Sequence, residues 1–323
     1  MSTLVSVVVV TYNSSQFISE ALESVLKQTW QNIELIITDD CSEDSTVEIC
    51  KKWLHYNKHR FINTLLLKSE KNAGVSANAN RGLFAAKSEW IKFLAGDDAL
   101  KPTCIEDNIS WITEHPEVKV LFSKIEVYRD NFEPHNFITT TPDGNNNTQS
   151  IMAQCRSAES QHNMLLRSDK IHFSPSVFLH REPIVLLGGF DERFEFLEDY
   201  PLWLKLTKNG HKLWFMDKVT VNYRQHVKAI NNTGINYLVN PNYFRSEEFR
   251  RIYTYPYLPR DVKLLQRYNW YISQIFRISI FNKVTLPLRT LHSLLTIWLN
   301  PFKYLIWFRK LTNTNLRNNE HYK

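Results

Sequence analysis

The stretch Trp90-Ile91-Lys92-Phe93-Leu94-Ala95-Gly96-Asp97-Asp98 decides how this chain is read. Its first five residues are apolar, aromatic or β-branched apart from one lysine, and the run stops at a glycine, which predicts a short buried strand. Two adjacent carboxylates then stand where the strand ends. In an open α/β sheet, ligands bind just beyond the carboxyl ends of the strands, so a charged ligand would be met at this point. Neighbouring carboxylates repel each other, and a shared cation relieves the repulsion. Mg²⁺ or Mn²⁺ carrying a diphosphate suits the pattern; a solvated acidic turn is the alternative.

The flanking sequence repeats the theme. Residues 4–10 are almost continuously apolar, as a parallel strand covered on both faces requires. No basic segment or small-residue cleavage site precedes them, so they are read as a strand and not as a signal peptide. Asn13 with Gln16 predicts a capping pair for a helix to about Lys27, with Phe17, Ala21, Leu22 and Val25 facing inward. Residues 33–38 predict a second strand, ending at Asp39-Asp40-Cys41-Ser42. A helix to about Tyr56 then opens with Glu43 and Asp44, where the helix dipole favours acids. Residues 63–68 predict a third strand. Asn72-Ala73-Gly74-Val75 turns into a helix of small residues through Lys87, and another helix follows Pro102. The alternation predicts an α/β fold with a mostly parallel, right-handed central sheet and helices on both faces. Each polar cluster falls at a strand's carboxyl end, hence on one edge. Singly, Asp40 could be a helix cap and Tyr12 core; together the clusters point to a site.

Past residues 118–122 the pattern weakens. Residues 131–161 are polar around Asp143-Gly144-Asn145-Asn146-Asn147 and predict a long loop. Ser174-Pro175-Ser176-Val177-Phe178-Leu179 carries a strand signal. After Gly188-Gly189-Phe190-Asp191-Glu192, the acids Glu198 and Asp199 open an apolar-periodic helix, with Phe196 and Trp203 expected in the core. Two short strands, 213–216 and 219–223, lead to Tyr223-Arg224-Gln225-His226.

Only 8 glycines occur in 323 residues, and neither G-x-G-x-x-G nor a P-loop is present, which argues against a glycine-loop nucleotide binder. Cys41, Cys50, Cys104 and Cys155 lack metal-ligand spacing and read as reduced thiols of a cytosolic protein. The net charge of +6 is uneven: residues 262–319 hold nine Lys or Arg and no acid, whereas the remaining 30 basic residues face 33 acidic ones. The basicity belongs to the tail.

Taken together, the motifs resemble the inverting glycosyltransferases of family 2, whose GT-A fold is Rossmann-like. The resemblance runs from about Ser6 to His226. Val9-Val10-Thr11-Tyr12-Asn13 resembles the first-strand motif, with Val10 where the family commonly has proline. Ile36 to Thr46 resembles the nucleotide motif, Asn72 to Ala77 with Asn80-Arg81-Gly82 the helix after it, and Gly188 to Glu192 with Glu198-Asp199 the acceptor-side motifs. The resemblance implies a donor site containing Thr11, Tyr12, Asn13, Asp40, Asn80, Asp97 and His226. In it Tyr12 would stack on the uracil of a UDP-sugar and Asp40 would accept from its ring N–H. Asp97 would hold the ribose or stand behind the metal's direct ligands, and Asp98 would hold the Mn²⁺ or Mg²⁺ bridging the diphosphate. His226 would contact diphosphate or metal. Asp199 would be the general base, kept ionised by the helix dipole, with Glu198 the next candidate. Two departures stand out: Ala95 replaces a common acid, and Ala79 a common arginine.

Residues 1–235 are thus expected to form the transferase domain and residues 236–323 a helical, basic and aromatic extension. In that extension, residues 284–308 are apolar but interrupted by Arg289, His292, Pro301 and Lys303, which fits interfacial helices better than a membrane span. A helical cap on the catalytic domain is the alternative. The resemblance and the tail imply peripheral attachment to an anionic membrane surface, at the inner face of the bacterial cytoplasmic membrane. The implied acceptor is a polyprenyl-diphosphate-linked saccharide of O-antigen or capsule assembly, with no nucleic acid involved. Two other readings are a non-catalytic nucleotide-sugar or saccharide binding protein, and a nucleotidyltransferase, which would normally carry a glycine-rich phosphate loop.

Overall fold

Four of the apolar runs become four parallel strands: β1 (Val5–Thr11), β2 (Ile33–Asp39), β3 (Asn63–Lys68) and β4 (Trp90–Ala95) lie in the order β3-β2-β1-β4. Val5, Val7, Val8, Val9, Leu35, Ile36 and Ile37 are fully buried, which requires helices on both faces of the sheet. The register sets Thr11 level with Asp39 and Val10 level with Ala95. Tyr12, Asp40 and Gly96-Asp97-Asp98 therefore emerge along one flush edge.

The computed structural model describes residues 2–142, 150–194, 197–226, 237–278 and 280–312. The chain divides into one unit of residues 1–161 with 170–226 and another of residues 162–169 with 227–323. The boundary expected near residue 235 and the core position Phe196 lie outside the described residues.

In the first unit, α1 (Ile18–Leu26), α2 (Thr46–Asn57) and α3 (Val75–Ala85) connect the parallel strands. The Asn13–Gln16 capping pair does not form. Phe17 occupies the cap of α1 without a side-chain bond. Asn13 takes a left-handed φ of 47°. Its N–H donates to Ser42 Oγ (2.8 Å) and its Oδ1 accepts from Glu43 N–H (2.9 Å), so it clips the end of β1 to the loop after β2.

Next come β5 (Ala99–Leu100), α4 (Cys104–Glu114), β6 (Val120–Arg129), β7 (Phe137–Thr141), α5 (Ala158–Leu165), β8 (Phe178–His180), α6 (Arg181–Leu186), α7 (Asp199–Lys208) and β9 (Leu213–Gln225). They extend the sheet as β4-β8-β6-β9-β5, with β7 on β6. Here pairing is mixed: β8 runs antiparallel to β4 and β6, β5 to β9 and β7 to β6, while β6 and β9 are parallel. The expected loop over 131–161 is in part regular structure, because the β-branched run Ile138-Thr139-Thr140-Thr141 pairs with β6; residues 143–149 lie outside the described residues. The two short strands expected at 213–223 are one, β9. Its register against β6 shifts between Ser123 and Ile125, and Asp217 at this irregularity pairs with Lys124, which interrupts the apolar pattern without breaking the strand. Trp203 is core, as expected.

The second unit is helical: α8 (Pro241–Tyr253), α9 (Arg260–Ile275), α10 (Leu286–Ser293), a π-helical turn at Leu294–Trp298, and α11 (Pro301–Thr312). Among the described residues, no helix is long and apolar enough to cross a membrane.

Candidate active site

At the ends of β1 and β2, Tyr12 is 45% exposed, and the buried Asp40 follows it across the edge. Asp40 accepts from the N–H groups of Ala73 (3.1 Å) and Gly74 (2.8 Å), where α3 begins. Arg81 lies 3.5 Å from Asp40, and its Nη1 donates to Asn78 Oδ1 (2.6 Å) and to the Asp39 carbonyl (3.3 Å). The Ala73 N–H is shared between both carboxylate oxygens, and these contacts fix Asp40 at the sheet edge. Arg81 brings a cation to the edge from a position two residues beyond Ala79, where the family pattern had suggested one; its adjacency to Asn80 in the sequence was the available signal.

Two expected donor contacts turn inward. The Thr11 side chain is buried, and its carbonyl accepts from Asp40 N–H and from Asn78 Nδ2, both at 3.1 Å. Asn80 is buried as well: its Nδ2 donates to the Phe190 carbonyl (2.9 Å) and to Glu192 (2.7 Å), and its Oδ1 accepts from Phe190 N–H (2.8 Å). Asn80 is therefore a brace between α3 and the Gly188–Glu192 segment. Gly189 at φ 74° makes this possible, since a Cβ there would stand 2.4 Å from Asn80 Oδ1.

The acidic pair after β4 divides. Gly96 lets the chain turn against β1, where a Cβ would meet Thr11 Oγ1 at 2.8 Å. Asp98, expected to hold the metal, is 1% exposed; its Oδ1 accepts from Arg224 N–H (2.9 Å), and its Oδ2 is buried without a hydrogen-bond partner among the described residues. Burial, with Asp97 beside it, pushes its carboxyl well above the usual range. Asp97, expected at the ribose, is the more open acid, and its Oδ2 lies 3.0 Å from His226 Nε2. The His226 ring packs on Phe17, with centroids 4.6 Å apart.

Arg224, which the sequence reading left without a role, holds this cluster together. It is 2% exposed; its Nε donates to the Asp97 carbonyl (2.7 Å), its Nη1 to the Asp130 carbonyl (2.5 Å), and its Nη2 pairs with Glu20. Phe17 and Phe132 flank the guanidinium at 4.7 and 4.0 Å. Its place in β9, two residues before His226, was the only hint in the sequence.

Asp199 begins α7, with Glu198 at the N-cap. Its Oδ2 accepts from Ser174 Oγ (2.5 Å) and its Oδ1 from Tyr200 N–H (2.7 Å). Burial raises its carboxyl above the ordinary value, although these hydrogen bonds oppose the rise. Lost hydration thus acts against the dipole expected to keep it ionised. Ser174 sits in a 3₁₀ turn, Ser174–Ser176, that is tied to β4: the fully buried Lys92 donates through Nζ to the carbonyls of Pro175 (2.8 Å) and Val177 (3.2 Å). Burial lowers the Lys92 amine to about 8. One strand thus carries Asp97-Asp98 beyond its end and, through Lys92, supports the turn that touches Asp199.

The described residues contain no cluster of three or more His, Cys, Asp or Glu able to hold a metal ion. The open carboxylate of Asp97 fits a divalent cation that draws most of its shell from a diphosphate and water, as Mg²⁺ usually does; the neighbouring imidazole is a ligand that transition metals accept more readily than Mg²⁺.

A family model described as Glycosyl transferase family 2 matches residues 6–172. A glycosyltransferase of Haemophilus influenzae is 27% identical over 205 residues, covering 63% of this chain and 62% of that protein. GlyG of Streptococcus pneumoniae is 39% identical over 106 residues, covering 33% and 34%. The chain thus spans under two thirds of the length of these relatives. Among solved structures, residues 1–349 of S. aureus TarS in complex with UDP-GlcNAc match with a TM-score of 0.59 at 19% identity, covering 98% of this chain and 89% of that one. The mannosyltransferase PcManGT of Pyrobaculum calidifontis, in complex with GDP-Man and Mn²⁺, matches with a TM-score of 0.52 at 15% identity, covering 97% and 76%. These likenesses are of fold.

Proposed function

Since the chain belongs to glycosyl transferase family 2, we propose that it is an inverting hexosyltransferase using a UDP-sugar donor and a saccharide acceptor. The observation that carries this reading is the flush sheet edge on which Tyr12, Asp40 with Arg81, and Asp97 with His226 stand together. The UDP-GlcNAc bound by TarS supports a uridine donor.

In this reading the exposed Tyr12 ring stacks on the base, Asp40 accepts from its ring N–H, and Asn13 stands next to Tyr12 at the same edge. The metal contact passes from Asp98 to Asp97 and His226, because Asp98 is buried against β9. Mn²⁺ or Mg²⁺ held there would supply Lewis-acid stabilisation of the diphosphate's charge. The acceptor hydroxyl oxygen bonds to the anomeric carbon from the face opposite the diphosphate, and the bond from that carbon to the diphosphate oxygen breaks. The hydroxyl proton passes to Asp199, with Glu198 the next candidate. Direct displacement inverts the anomeric centre and needs only this one base. A polyprenyl-diphosphate-linked acceptor in surface polysaccharide assembly, met at the inner face of the cytoplasmic membrane, completes the reading; similarity to a minor teichoic acid biosynthesis protein of Bacillus subtilis, 33% identical over 112 residues that make up 34% of this chain and 12% of that protein, supports the surface-polymer part alone.

The test has two stages. A panel of nucleotide sugars with Mn²⁺, read by thermal shift, should single out a UDP-sugar by its stabilisation of the folded state. With that donor, Asp199→Asn should keep donor affinity and lose about 10²- to 10⁴-fold in kcat. Turnover by Asp199→Asn at the parent rate would remove Asp199 from the role.

A further inference from the structure

We infer that α10, the π-helical turn and α11 form an interfacial element that lies in the headgroup layer of an anionic membrane, with Trp298, Trp307 and Phe308 inserted and the exposed Arg289 and Lys303 paired with lipid phosphates. This deepens the membrane part of the proposed function and needs none of its catalytic part.

The first observation is burial. No residue of α10, the turn or α11 is buried, and between them only Asn300 is. The helix α11 meets α9 along a narrow stripe: Phe302, Ile306 and Lys310 recur every four residues as its least exposed positions. The Phe302 and Tyr268 rings lie 6.1 Å apart, Asn300 Nδ2 donates to Asn269 Oδ1 (2.9 Å), and Arg309 pairs with Asp261 (3.1 Å). Off that stripe, large apolar side chains are exposed beside Lys303: Trp298, Trp307 and Phe308 are 65%, 60% and 61% exposed. Soluble surfaces scatter such residues singly, and a contiguous apolar patch marks a partner or a membrane.

Charge selects the occupant. The element itself, residues 286–312, carries Arg289, Lys303, Arg309 and Lys310 and no Asp or Glu; Arg309 pairs with Asp261 of α9 and Lys310 lies on the packed stripe, while Arg289 and Lys303 are exposed. A second copy of this chain, docked face to face, would set this positive surface against itself, because a two-fold interface pairs a patch with its own image. A surface that is anionic outside and apolar beneath matches both features: Lys and Arg reach the phosphates while Trp and Tyr sit at the headgroup level.

Length settles the orientation. At 1.5 Å per residue the 12 residues of α11 reach about 18 Å, against a hydrocarbon core of about 30 Å, and the Asn300-Pro301 joint separates it from the turn before it. The element lies along the membrane and does not cross it.

The experiment is co-sedimentation of the full chain with vesicles of phosphatidylcholine alone and of phosphatidylcholine with phosphatidylglycerol in equal parts. Binding is expected to the mixed vesicles and to fall as NaCl is raised, since the Debye length is about 8 Å at physiological ionic strength. The double substitution Trp307→Ser with Phe308→Ser should weaken binding at least about tenfold, and Lys303→Gln about fivefold. Both variants should keep the parent's melting temperature and UDP binding, because these side chains are exposed. A full chain that ignores both vesicles overturns the inference. So does self-association in sedimentation velocity that the double substitution abolishes while vesicles stay unbound, which would make a second copy the occupant. In either case the UDP-binding measurement still judges the catalytic reading by itself.

Discussion

Replacing Arg224 with methionine should both destabilise the first unit and weaken the proposed donor site. Methionine preserves much of the aliphatic volume and removes the guanidinium. The carbonyls of Asp97 and Asp130, bonded at 2.7 and 2.5 Å, lose their donor inside the protein, at about 1–3 kcal/mol each. The contacts with Phe17 and Phe132 are worth about 1 kcal/mol each when desolvated. Glu20 is half exposed and returns to water, so its pairing adds little. Against these losses stands the relief of no longer burying a cation. The balance is about 3–5 kcal/mol, the range for breaking a buried charged contact, or a fall in melting temperature of about 6–20 °C. Asp97 and His226 lose their common support, so UDP binding with Mn²⁺ should weaken too. Arg224→Lys keeps the charge but cannot reach three acceptors from one nitrogen, and should fall between. A thermal melt beside a UDP titration checks both effects. A methionine variant melting within about 2 °C of the parent would refute this reasoning.

Two further substitutions probe the turn beneath Asp199. Ser174→Ala removes a hydrogen bond that favours the ionised carboxylate, so with Asp199 as the proposed base the acid limb of kcat/KM should move to higher pH by about one pH unit; an unmoved limb would show that Asp199 is not the titrating base. Lys92 has an amine at about 8 when folded and at its ordinary 10.5 when unfolded, so the unfolded chain holds more protons between those values and stability should rise with pH across that window, by up to about 3 kcal/mol. Lys92→Met should abolish that rise in denaturant midpoints, and a midpoint that climbs as steeply without Lys92 would contradict the assignment.

The sheet was legible because its strands are local. Residues 5–9 and 33–37 are apolar runs, and a parallel sheet covered on both faces needs little else from the sequence. The polar edge followed from the strand ends. What the edge residues do was less legible, since partners far along the chain decide it. Adjacent acids in one turn look alike in sequence, yet Asp98 meets Arg224 and Asp97 meets His226, both more than a hundred residues away. Asn80 resembled a donor contact until Phe190 and Glu192 occupied its amide. The irregularity at Asp217 made one strand look like two. In the second unit, the absence of acids and the abundance of aromatics were plain, whereas the exposure of those aromatics required the packing of α11 on α9.

The central claim is that Asp97 and His226 hold a divalent cation against the diphosphate of a uridine donor. Calorimetric titration of the full chain with UDP tests it, run with Mn²⁺, with EDTA, and with Asp97→Asn in Mn²⁺. Binding in Mn²⁺ that disappears in EDTA and in the Asp97→Asn variant is the predicted result; UDP binding of equal affinity under all three conditions would contradict it.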